Sequence, residues 1–213
     1  MSTEFTGFPA EGFRFFAQLA ANNNRDWFQS HKDTYEQCCR EPLVALVAEL
    51  EPRYGAPKIS RINRDMRFAR GRGPYKTYIA AGVGGNYIAL SADGVWVGSG
   101  MYKPEPAVLK RFRDAVDDPK TGPALERIVA QLRRKGYEVD THDRLSSAPR
   151  GFASDHSRLE LLRMKDIYAG KQLDPDELST RKAKARIERV MSDTLALKRW
   201  LQQHVNAAAA STR

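Results

Sequence analysis

YIAAGVGGNYIALSADGVWV, residues Tyr78 to Val97, is the stretch that decides the fold class. Tyr78, Ile79 and Val83 lie in a β-rich run that ends at Gly84-Gly85. Asp93-Gly94 is then flanked by Tyr87-Ile88-Ala89-Leu90-Ser91 and Val95-Trp96-Val97. An Asp-Gly pair between alternating apolar residues predicts a tight β-hairpin, because its residues tolerate the positive φ such turns require. Ile88 and Leu90 share one face, and Val95 and Val97 share the matching face of the next strand.

Outward from this run the period changes to that of helices. Pro9 suits a helix start, and Phe13, Phe16 and Ala20 predict an amphipathic helix over Pro9 to Ala21. Asn22-Asn23-Asn24 ends it, and Asn24 caps the next helix at Arg25-Asp26-Trp27-Phe28. Helical character runs through Tyr35, is kinked or broken at Pro42, and continues with Leu43, Leu46, Val47, Leu50 and Tyr54 up to Gly55. On the other side, Pro104 and Pro106 open a helix with Leu109, Phe112 and Val116, which Asp117-Asp118-Pro119 closes. Thr121 caps a helix with Leu125, Ile128, Val129 and Leu132. Tyr137-Glu138-Val139 reads as a short strand, and Ser154 or Asp155 caps a helix through Leu159, Leu162 and Arg163. Asp174, Pro175 and Glu177 form a capping-box start for one final helical segment through Leu201.

Helices, then adjacent strands, then helices favour an α+β fold with an antiparallel sheet centred on Arg61–Met101 and helices packed against it. With 213 residues and no long linker or repeat, the expectation is a single domain over residues 1–213, ordered from about 4 to 204, with a frayed tail at 206–213. Adjacent Cys38 and Cys39 point to a reducing compartment rather than a disulfide. No signal peptide and no apolar run of membrane-spanning length are present, which gives a cytoplasmic address and no membrane partner. No cofactor or metal is expected: none of His31, His142, His156 and His204 sits at ligand spacing from another His or Cys. His156 and Glu160 are i, i+4, but a capped helix start explains them. There is no nucleophile elbow and no Walker A loop.

The chain carries a net charge of +9, which favours phosphate-bearing partners. Residues 58–77, KISRINRDMRFARGRGPYKT, hold seven bases against Asp65 alone, or +6. As a strand, this segment would set Arg64 among Ile62, Met66 and Phe68, where a guanidinium needs a carboxylate or a ligand. Asp26 is one internal partner for it. Gly71, Gly73 and Pro74 force a loop whose N–H groups could approach an anion, Tyr75 adds an aromatic face or a hydroxyl, and Lys76 adds a movable charge.

The leading expectation is therefore a binding or catalytic domain for a phosphorylated or otherwise anionic small molecule, held by Arg64, Arg67, Tyr75, Lys76 and Arg150. Asp26 and Asp65 support it and are the only nearby bases. The alternative is a nucleic-acid-binding module that adds a second basic stripe, Arg181, Lys182, Lys184, Arg186 and Arg189. A third reading is a basic face for an acidic protein, and a fourth is a solvated surface with internal ion pairs. Whether the protein is an enzyme, and its oligomeric state, do not follow from these residues.

The chain also resembles the family called domain of unknown function 2461, widespread in bacteria and present in fungi. The matching pieces are Phe5-Thr6-Gly7-Phe8-Pro9, Asn22-Asn23-Asn24-Arg25-Asp26-Trp27-Phe28, Arg61-Ile62-Asn63-Arg64-Asp65, Arg67-Phe68, Pro74-Tyr75-Lys76-Thr77 and Ala148-Pro149-Arg150-Gly151-Phe152. The resemblance implies one compact domain and no particular reaction. The family pattern often places a serine and an acid between Phe68 and Pro74. Here Ala69, Arg70, Gly71 and Arg72 stand there, which argues against a catalytic carboxylate in that loop.

Overall fold

The structure is a computed structural model that describes residues 4–68 and 71–206. The tail expected to fray and the loop residues Ala69 and Arg70 lie outside the described residues, apart from Asn206. The fold is α+β. Six strands form an antiparallel sheet in the order β1-β2-β3-β4-β6-β5. The strands are β1 (Lys58–Ile59), β2 (Tyr78–Val83), β3 (Asn86–Ser91), β4 (Gly94–Met101), β5 (Glu138–Asp140) and β6 (Ile167–Leu173). The chain folds as two compact units. One comprises the chain up to Val97 with Gln172–Arg189, the other Gly98–Lys171 with the chain from Val190 onward.

In the first unit, helix α1 (Ala10–Ala21) packs on β3 and helix α4 (Glu41–Tyr54) on β2. Between them run α2 (Arg25–Ser30), α3 (Lys32–Tyr35) and a π-helical turn at Glu36–Arg40. That turn accommodates Pro42, which has no N–H to continue the α-helical ladder. The sheet residues that face the helices are the expected ones: Ile79, Ile88, Leu90, Val95 and Val97 are fully buried. They meet Phe15, Phe16, Leu19, Leu43, Leu46 and Leu50 in one apolar layer, whose burial is the main source of stability. The lead-in segment is pinned at two points. Phe8 N–H donates to Leu178 O at 2.8 Å and Phe5 N–H to Glu49 Oε1 at 2.8 Å. Gly7, at φ +125°, is required there, because a Cβ would stand 2.5 Å from the Ser179 carbonyl carbon.

Because side chains alternate along a strand, the other face of β2, β3 and β4 carries Tyr78, Ala80, Gly82, Tyr87, Ala89 and Trp96. Tyr78 and Tyr87 are 36% and 42% exposed. Lys58 pairs with Gly82, and Gly82 with Tyr87, so this cation and this ring lie in one cross-strand row.

The second unit holds α5 (Pro106–Asp117), α6 (Thr121–Arg134), β5, α7 (Leu159–Leu162) and α9 (Leu195–His204). Phe112, Val116, Leu125, Leu162, Ile167, Ala169 and Leu197 are fully buried. Trp200 Nε1–H donates to Thr121 O at 3.0 Å. Four local expectations change. The helix expected to start at a Ser154 or Asp155 cap spans only Leu159–Leu162 and has no side-chain cap. Asp118, not Thr121, caps α6, accepting from Lys120 N–H and Thr121 N–H at 2.7 and 2.9 Å. The capping box at Asp174 does not form: residues Pro175–Glu177 make a 3-10 turn, and α8 (Lys182–Asp193) starts beyond it. The final helical segment is two helices, broken at buried Thr194, whose hydroxyl donates to Val190 O at 3.0 Å. Strand β6, which the sequence pattern does not reveal, pairs with β5 through Glu138↔Gly170, Val139↔Ala169 and Asp140↔Tyr168.

Candidate anion-binding hairpin

The basic segment folds as an irregular hairpin that extends the β1–β2 pairing. Lys58 faces Gly82 and Ile59 faces Ala81, and Ser60 N–H then donates to Ala80 O at 2.7 Å. Further out, Asn63 bridges Tyr75, Arg64 N–H donates to Pro74 O at 2.7 Å, and Lys76 N–H donates to Ile62 O at 2.9 Å. The tip turns through a 3-10 segment, Met66–Phe68, where the spacing had suggested a continuing strand.

Three consecutive asparagines each do separate work at its base. The Asn22 amide donates to Gln18 O at 3.0 Å and closes α1. Asn24 Oδ1 accepts from Trp27 N–H at 3.0 Å and caps α2, as the sequence suggested. Asn23 reaches the hairpin. Its Nδ2 donates to Tyr75 O at 2.9 Å and its Oδ1 accepts from Tyr75 N–H at 3.0 Å, so one side-chain amide replaces a β-ladder partner. Gly73 must be glycine for this to happen, since a Cβ there would lie 2.5 Å from Asn23 Cγ.

Arg64 completes the brace. It is half-buried, and its guanidinium donates to Gly73 O (Nε, 3.2 Å) and Tyr75 O (Nη2, 3.1 Å). Carbonyl oxygens therefore take the place of the carboxylate expected from Asp26, which lies exposed in the first turn of α2. Tyr75 is 5% exposed and its ring stacks on Phe28 at 4.0 Å and 15°, so it anchors the hairpin rather than offering a face to solvent. Lys76 Nζ donates to Arg61 O at 2.8 Å. Arg67, its side chain 83% exposed, grips Asp65 with both prongs, at 3.0 and 2.7 Å. The Arg67 guanidinium, then its N–H, hold the Asp65 carboxyl below its usual range. Both Asp65 oxygens are engaged, which makes it a poor base at neutral pH.

Arg150 belongs to the second unit, exposed in a turn closed by Phe152 N–H donating to Pro149 O at 3.1 Å. Helix α8, with Arg181 just ahead of it, treats its cations differently from the hairpin. Arg181 pairs with Glu4, Lys184 with Glu49 at 2.8 Å, and Arg186 with Glu177 at 2.7 Å.

Sequence reasoning missed one chemically capable pair in the second unit. Asp166 is 3% exposed, and its Oδ1 accepts from Thr141 Oγ1 and His142 N–H at 2.7 and 2.8 Å. Its Oδ2 lies 3.1 Å from His142 Nδ1. The carboxylate assigns the proton to Nδ1 and leaves the Nε2 lone pair without a partner among the described residues. Tyr102 and Tyr168 flank the imidazole at 5.0 and 4.7 Å. His156 is the opposite case. Its Nδ1 accepts from Arg158 N–H and its Nε2 bonds Asp117 Oδ1, each at 3.0 Å, so neither nitrogen remains for a ligand. Among the described residues, no three His, Cys, Asp or Glu side chains gather into a metal site. No described helix is long and apolar enough to cross a membrane.

The class this defines is an α+β protein bearing a basic hairpin braced by Asn23 and Arg64. The family described as conserved hypothetical protein (DUF2461) matches residues 11–200, and the chain belongs to that family. No curated protein and no solved structure matches it.

Proposed function

We propose that this chain binds a phosphorylated or otherwise anionic ligand through the 58–76 hairpin. The observation that carries the reading is the kind of partner its cations have. Arg64 and Lys76 donate to neutral carbonyl oxygens, while Lys58 and Arg61 stand exposed. A carbonyl satisfies a donor's geometry but cancels no charge, so the positive field of the segment persists outside it. The roles differ from those expected of a pocket. Arg64 and Tyr75 hold the frame; Lys58, Arg61 and Lys76 supply field and contacts at its surface; Arg67 joins them with Asp65 as its companion.

Thermal unfolding in the presence of pyrophosphate, nucleotides, sugar phosphates and carboxylates, at low and moderate salt, tests this. A ligand at 100 times its Kd stabilises the fold by about 2.7 kcal/mol. The Lys58→Ala/Arg61→Ala variant should keep the fold's stability and lose this ligand shift. The Lys184→Ala/Arg186→Ala variant should keep the shift. Equal shifts in wild type and Lys58→Ala/Arg61→Ala, or no shift from any anion, would overturn the proposal.

A further inference from the structure

We infer that the sheet face of the first unit opposite α1 and α4, continuous with the hairpin cations, is a platform for single-stranded nucleic acid. The inference rests on the anion-binding reading above and adds to it a site for the bases. The register places the chemistry. Lys58, Gly82 and Tyr87 form one row across three strands, and Ser60 N–H meets Ala80 O in the next row, with Ala80 opposite Ala89. Tyr78 lies four residues along β2 from Gly82, which is about 14 Å at ~3.4 Å per residue. The half-buried Trp96 ring sits 6.1 Å from the Tyr87 ring. Two exposed tyrosine rings and a half-buried tryptophan thus flank Gly82 and Ala89, which are partly accessible, with a cation at the edge of the same face and Ala80 buried beneath.

The composition of this face selects the ligand. Its large side chains are all aromatic, whereas Ile79, Ile88, Leu90, Val95 and Val97 all point the other way, into the core. Aromatic rings separated by small residues leave flat places where bases can lie, and any base has a π-face to offer. The cations beside them attract the phosphates that link those bases. A duplex keeps its base faces inside the stack, so only an unpaired strand can use the rings.

The test uses the full chain and two labelled polyanions: a thymidine oligonucleotide of about 12 residues, within the range of single-strand sites, and inorganic polyphosphate as the base-free control. Fluorescence anisotropy gives both affinities across a salt series. Tyr78→Leu and Tyr87→Leu, which keep apolar bulk but remove the ring, should each weaken oligonucleotide binding about tenfold and leave polyphosphate binding unchanged. Tyr87→Phe should bind like wild type. Lys58→Ala/Arg61→Ala should weaken both ligands and flatten the salt dependence, by about 0.7 log units per lost phosphate contact. If the leucine variants bind the oligonucleotide like wild type, or if the same oligonucleotide annealed to its complement binds as tightly as the single strand, the platform is overturned while the anion-binding hairpin stands. If neither polyanion binds, both readings fall.

Discussion

The hairpin and helix α8 are both basic, yet they handle charge in opposite ways. At α8, Arg181 just ahead of the helix and Lys184 and Arg186 on it each meet a carboxylate, from Glu4, Glu49 and Glu177. Their charges are cancelled close by, and Lys184 helps fasten the lead-in segment through Glu49, which also accepts Phe5 N–H. On the hairpin, Arg64 and Lys76 meet carbonyls. The donors are satisfied and the charge is not. A count of basic residues along the sequence cannot separate a region that holds the fold together from one that keeps its field for a partner. The identity of each cation's acceptor can.

The largest expected effect comes from removing the part of the hairpin frame that carries no charge. Asn23→Ala would leave the Tyr75 N–H without its acceptor and the Tyr75 carbonyl with Arg64 alone. The expected loss is about 2–4 kcal/mol, read as a fall in Tm of about 5–10 °C. Asn24→Ala, which removes only a helix cap, should cost about 1 kcal/mol. Asn23→Ala should also weaken anion binding although every cation remains, because those cations are presented by a hairpin that has lost its brace. Full anion affinity in a clearly destabilised Asn23→Ala would break the link between frame and field.

A smaller effect belongs to α8 and depends on pH. The hydrogen bond from Lys184, then that from Phe5 N–H, hold the Glu49 carboxyl below its ordinary value. A lowered folded pKa means that this contribution is complete above the unfolded value, about 4.3. It is lost as pH falls through the lower folded value. Glu49→Gln should therefore cost about 1 kcal/mol at neutral pH and progressively less in acid, with the two stability curves converging below about pH 4. Thermal unfolding from pH 7 to pH 3 measures this. A gap of constant size would show that Glu49 acts by shape rather than charge.

How far the sequence disclosed this molecule follows from the range of each signal. The Asp93-Gly94 hairpin, the inward faces of β3 and β4 and the Asn24 cap all rest on neighbouring residues, and all are present. Strand β6 was hidden because its run, Ile167–Leu173, alternates poorly, with Gly170 and Lys171 in the middle. Its partner β5 is nearly thirty residues upstream. At the site, residue types were legible and their partners were not. Arginine beside glycines suits an anion or a set of carbonyls equally well. The choice was made by Asn23, 52 residues from Tyr75. Tyr75 looked like a stacking surface until Phe28, brought in by α2, covered its ring. Tyr78, Tyr87 and Trp96 fall on the opposite face by alternation, but how far each ring stays exposed is a tertiary fact.

The smallest effect needs no change in stability and applies the same distinction, between groups fully used inside the fold and groups left over, to two histidines. His156 has both nitrogens engaged, accepting at Nδ1 from Arg158 N–H, so its proton sits on Nε2 and points at Asp117. His142 has its Nδ1 tied to buried Asp166, so its proton sits on Nδ1 and its side chain is 53% exposed. Nitrogen NMR should therefore find opposite neutral tautomers at the two positions. An acylating reagent that attacks the unprotonated nitrogen should modify His142 well before His156. Asp166→Asn should remove the carboxylate that fixes the ring and let the His142 tautomers mix. A single tautomer that persists in Asp166→Asn would mean that Asp166 does not set the ring.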